Sequence, residues 1–166
     1  MIPRADERGK TILLKTLMQQ HDEGRAAEDG ILPGMLIEIT SDSEDIPRTP
    51  PLVQKCTASG TAVRKLICKE DFLQGKGIGD EIDEGDIVPY HECQPGDVVL
   101  VRVADDYEAI PGVLLKSAGD GTFEDHGGSG VALFQIENAI DWGDVDVSEL
   151  DETDPRAQSL VRAVAL

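Results

Sequence analysis

The sequence predicts a mainly β protein, a small barrel or sandwich with an extended N-terminal arm and little helix. Three observations carry this reading. Apolar and β-branched residues alternate in short runs, as in ILPGMLIEIT and DVVLVRV. Turn residues separate those runs, at Pro33-Gly34, Pro95-Gly96-Asp97, Pro111-Gly112 and Gly119-Asp120-Gly121. The repeat of strand and turn, roughly every 8–12 residues, is that of all-β sandwiches and barrels. A chain of 166 residues suffices for one domain that buries about 70% of its unfolded surface.

Taken in order, residues 1–30 stand apart as the arm. They hold Arg4, Arg8, Lys10, Lys15 and Arg25 and are less acidic than the chain as a whole. Ile12, Leu13, Leu14, Leu17 and Met18 form one apolar run, which fits either a short amphipathic helix or an extended segment. The β domain spans residues 31–166. Pro33-Gly34 leads into a strand carrying Ile37 and Ile39, and a loop between Ile39 and Lys69 is rich in proline (Pro47, Pro50, Pro51). After Pro95-Gly96-Asp97, a strand places Val99, Val101 and Val103 on one face and Leu100 and Arg102 on the other. Pro111-Gly112 opens a further strand, and Gly119-Asp120-Gly121 is a tight hairpin turn. VALFQIENAI gives another strand, an acidic connector occupies residues 141–158, and SLVRAVAL closes the chain as a final strand.

Charge narrows the function. Asp and Glu number 33 against 15 Lys and Arg, a net charge of −18. Such a surface repels nucleic acid and anionic membranes, so neither is expected as a direct partner. Self-repulsion at this charge is relieved by salt, the condition in which halophilic proteins work. Cys56, Cys68 and Cys93 are odd in number and lack Cys-x-x-Cys spacing, which argues against a disulfide framework or zinc knuckle. No apolar run approaches a membrane span and no leader pattern opens the chain, so synthesis in the cytoplasm is expected.

The stretch LQGKGIGDEIDEGD, residues 73–86, raises the question of a phosphate or metal site. Lys76 sits between glycines with no Ser or Thr after it, so the P-loop pattern fails. The dinucleotide pattern fails because no strand leads in and no helix follows. Asp80, Asp83 and Asp86 are hard oxygen ligands, but their spacing of three is not that of a calcium loop. The expectation is a turn-rich connector between β layers, with Gly75, Gly77 and Gly79 free to take positive φ and the acids in water. His91 and Cys93 point to one side of a strand and Glu92 to the other, which does not build a catalytic dyad. His21 and His126 are expected in solvent. No catalytic, cofactor or metal residues are assigned.

The succession "PGMLIEIT", "EDFLQGKGI", the "PGD" strand and "IPGVLLKSAGDGTFE", over about residues 25–140, resembles the capsid decoration, or cement, proteins of tailed bacterial and archaeal viruses. The resemblance implies a β-tulip or β-clip-like domain on the outer surface of the virion. There it would clamp neighbouring subunits of an HK97-fold major capsid protein, as a trimer with a dimer possible, without catalysis or cofactor. The arm residues Ile12, Leu13, Leu14, Leu17 and Met18 are the expected capsid-binding element; the alternative is that they fold back onto their own barrel. Two other classes stay open. A metal-dependent enzyme of a halophile would show stoichiometric cation binding. The other is a free-standing acidic β-clip-like binding module, such as a carbohydrate-binding head or adhesin; sugar platforms use Trp and Tyr stacking, and the chain has one Trp and two Tyr.

Overall fold

The computed structural model describes residues 11–18, 21–40, 50–104, 107, 109–138 and 159–166. Among these, the regular secondary structure is nearly all strand: β1 (Leu13–Lys15), β2 (Asp22–Ala26), β3 (Leu36–Ile39), β4 (Leu52–Lys55), β5 (Leu66–Cys68), β6 (Ile87–Glu92), β7 (Val98–Arg102), β8 (Leu114–Ser117), β9 (Phe123–Asp125), β10 (Phe134–Ile136) and β11 (Leu160–Ala165). One 3-10 turn, Phe72–Gln74, is the sole helical element among the described residues. The mainly β class read from the sequence is what the chain adopts.

The sequence left barrel and sandwich open, and the molecule contains a closed barrel and an open sheet. Strands β2-β4-β3-β5-β6 close into the barrel, and β1-β7-β11-β10-β8-β9 form the six-stranded sheet. Every pairing is antiparallel except that of β2 with β4. Alternation along the strands explains how both are filled. On β3 and β5, Ile37, Leu66 and Cys68 belong to the barrel's inner core, with Val88 and Tyr90 of β6. Their neighbours Leu36 and Ile67 join the larger core with the open sheet, around Val99, Val101, Phe134 and Val161. β5 is therefore buried at every residue. Phe123 and Phe134 meet edge to face in the larger core, with ring centroids 5.2 Å apart, the geometry that aromatic quadrupoles favour.

The turns behave as their residues require. The β8–β9 hairpin forms around Gly119, Asp120 and Gly121, both glycines having positive φ. The Asp120 side chain accepts the Thr122 N–H at 2.9 Å. Gly34 has φ +88° and lies against Leu160, Leu100 and Arg102, so the Pro33-Gly34 turn sits where barrel meets sheet. The Pro95-Gly96 turn carries the chain from β6 of the barrel to β7 of the sheet.

Four expectations need correction or completion. Residues 1–30 are not set apart as an arm over their described part: β1 pairs with β7 in the open sheet and β2 closes the barrel between β4 and β6. Burial of the apolar residues drives this, since Ile12 and Ala26 are 0% and 2% exposed. Residues 73–86 do not cross between layers; they link β5 and β6, adjacent strands of one barrel, and are anchored by buried Ile78 and Ile82. Of Gly75, Gly77 and Gly79, only Gly75 has positive φ. The expected loop between Ile39 and Lys69 contains β4 and β5, while Pro47 lies outside the described residues, as does the connector 141–158.

Candidate functional site

The apolar run of the N-terminal segment divides as the chain leaves the open sheet. Ile12 is buried, its N–H held by Glu70 Oε2 at 2.9 Å and its carbonyl accepting the Leu100 N–H at 2.8 Å. Thr11 Oγ1 donates to the other Glu70 oxygen at 2.7 Å. Leu13 and Leu14 are half-buried against the larger core. Leu17 and Met18 turn outward and are 80% and 63% exposed. Local hydrogen bonds fix this turn: Thr16 Oγ1 donates to the Met18 carbonyl at 2.9 Å, and the Leu17 N–H reaches Asp97 Oδ1 at 3.3 Å. Of the five residues expected to bind a partner, three serve the protein's own core and two are presented to solvent.

A second apolar pair stands on the 3-10 turn after β5. Asp71 caps it, its Oδ1 accepting the Gln74 N–H at 3.3 Å and its carbonyl the Lys76 N–H at 2.9 Å. Gly75 ends it in the left-handed region, φ 74°, which only glycine adopts without strain. The turn so held exposes Phe72 (61%) and Leu73 (89%). Phe72 and Leu73 line an open groove of about 370 Å³ with His21, Glu23, Lys69 and Pro89. His21, on the rim, contacts Glu23 Oε1 at 2.9 Å and Lys69 Nζ at 3.5 Å. The sequence reading passed over Phe72 and Leu73. Their signal was two large apolar residues between a capping Asp and a Gly, where burial within the turn itself is impossible.

The acidic loop has its own cation. Lys76 Nζ bonds Asp86 Oδ2 and the Glu81 carbonyl, each at 3.1 Å, and the Asp86 carboxylate raises the Lys76 pKa. Asp80 Oδ2 turns inward to accept the Gly77 N–H at 2.6 Å. His126 organises its own turn, contacting the Gly130 carbonyl at 2.9 Å and accepting the Gly128 N–H at 3.2 Å.

His91, Cys93 and Asp97 meet at the crossing from barrel to sheet. The strand places His91 and Cys93 on the same side, as the sequence indicates, and both are buried while Glu92 is half-buried. Glu92 forms a two-pronged pair with Arg64, at 3.0 and 2.7 Å, and Arg64 holds its carboxyl below the ordinary value. His91 Nε2 lies 2.9 Å from Asp97 Oδ2, which also accepts the Gln94 N–H at 2.9 Å. Burial alone would push the Asp97 carboxyl up; hydrogen bonds from His91, Gln94, Thr16 and Leu17 outweigh it and hold it below its ordinary value. Burial pushes the Cys93 thiol up to about 12. These three residues form the one group among those described whose donors could hold a metal ion.

The chain matches no protein-family profile and no curated protein.

Proposed function

We propose that this protein is a structural component of a virion, decorating the outer surface of an HK97-fold capsid and clamping neighbouring major capsid subunits. The observation that carries the reading is the outward display of Leu17, Met18, Phe72 and Leu73 by turns that hydrogen bonds hold in place. Large apolar side chains fixed in solvent, on a chain of net charge −18, suit a protein surface better than a small molecule or a polyanion. The order of turn and strand phrases that resembles decoration proteins supports the same reading. The metal-dependent enzyme is the weaker reading, because His91, Cys93 and Asp97 are at most 3% exposed and out of a substrate's reach.

Co-sedimentation with expanded capsids lacking this protein tests the proposal. The Leu17→Ser/Met18→Ser and Phe72→Ser/Leu73→Ser double variants should each melt as the parent does yet bind at least about tenfold more weakly, the effect of losing about 1.4 kcal/mol of contact. Undiminished decoration by both variants would sink the assignment of these residues. Failure of the parent chain to bind any shell would sink the function.

A further inference from the structure

We propose that residues 1–10 of this chain dock in the groove beside the 3-10 turn, with Ile2 and Pro3 against Phe72 and Leu73, and cover that apolar pair in the free protein. The groove, of about 370 Å³, has Phe72, Leu73, Ile87 and Pro89 in its lining. Three carboxylates, Glu23, Glu70 and Asp71, line it against one lysine, Lys69. Phe72 and Leu73 are 61% and 89% exposed, and apolar surface held in water in this way usually marks a contact.

The occupant follows from where the chain leaves the described residues. Thr11, the first of them, donates through Oγ1 to Glu70 Oε1 at 2.7 Å, and the Ile12 N–H meets Oε2 at 2.9 Å. Glu70 lines the groove, so residues 1–10 continue from its rim. The seven residues between Pro3 and Thr11 reach at most about 25 Å, enough to cross a groove of this size. Gly9 allows the chain to double back at its exit. A link this short sets an effective concentration on the order of mM, so a contact too weak to hold separate molecules suffices.

Charge points the same way. Residues 1–10 carry Arg4, Arg8 and Lys10 against Asp6 and Glu7, a net charge of +1, while the rest of the chain carries −19. A cationic segment is drawn to an acidic rim. The order of residues fits as well. Ile2 and Pro3 lie beyond the basic residues, and the Arg stems can cover apolar surface while their heads stay at the carboxylates. On the capsid reading given above, the shell and this segment compete for Phe72 and Leu73. Where the segment lies in the free protein does not depend on that reading.

NMR of the full-length chain without capsids tests it, with protonated Ile methyl groups and Phe rings in a deuterated background. The expected result is a nuclear Overhauser contact from the Ile2 methyl to the Phe72 ring. Leu73→Ser, at an exposed position, and Arg4→Glu/Arg8→Glu should each lose that contact and return the Ile2 methyl to its unfolded-chain shift. An Ile2 methyl already at that shift in the parent, with no contact to Phe72, would overturn the proposal. So would a contact that both variants leave unchanged. A contact that persists when chains labelled only in Ile are mixed with chains labelled only in Phe would give the groove to a second copy, and would overturn it equally.

Discussion

At the scale of single residues, positive φ and close approach are separable, and two glycines separate them. Gly34 and Gly96 have φ +88° and +93°, but a Cβ on Gly34 would lie 2.4 Å from Leu160 Cδ2, whereas Gly96 has open space. Gly96→Ala should therefore cost about 1 kcal/mol of backbone strain. Gly34→Ala should cost about 2–4 kcal/mol, since a fully buried Leu160 must also move. Urea denaturation of both variants checks the order, and equal losses would mean the close approach is relieved cheaply. The turn residues were legible in the sequence because Pro-Gly and Gly-Asp-Gly encode φ locally. The meeting of His91 with Asp97 was not, because strand alternation says which side a residue faces and nothing of what the next turn brings against it.

At the scale of elements, the N-terminal segment carries the main lesson. Its apolar run was legible, but its periodicity over so few residues did not fix where it goes. The residues that decide are distant: Glu70 receives Thr11 and Ile12, and β7 supplies the pairing edge. β2 was invisible because DEGRA has no alternating apolar face, and it is a strand through pairing with β6 and β4. Two outcomes follow. Ile12→Ala should lose about 2–4 kcal/mol of stability, the cost of emptying a buried site. Leu17→Ser with Met18→Ser should change stability by no more than about 0.5 kcal/mol, as exposed positions do. Paired denaturation curves distinguish these. Deleting residues 1–24 removes β1 and part of β2, so the remaining chain should lose its cooperative melt.

At the scale of the whole molecule, charge governs how stability responds to the medium. With 33 acids against 15 bases, raising KCl from 0.1 to 2 M should raise Tm by on the order of 5 °C, equivalent to about 2 kcal/mol. A flat or falling Tm would contradict self-repulsion as a dominant cost. Acid acts in the opposite sense on a few carboxyls. Hydrogen bonds hold Asp97 and Asp120 below the ordinary 3.8, and Glu38 and Glu92 below 4.5. A carboxyl depressed in the folded state contributes fully above its unfolded value and loses that contribution as pH falls through the folded value. In molar salt, where self-repulsion is screened, Tm should hold steady above about pH 5 and fall below about pH 4. Calorimetry across that range checks the sign.

The most direct test of the proposed role is to purify virus particles from cells that produce this chain and to count it in them by quantitative mass spectrometry, with labelling of the intact particle surface. The account predicts copies comparable in number to the major capsid protein, labelled from outside. A chain that is missing from the particles, present in only a few copies, or shielded inside the shell would contradict it.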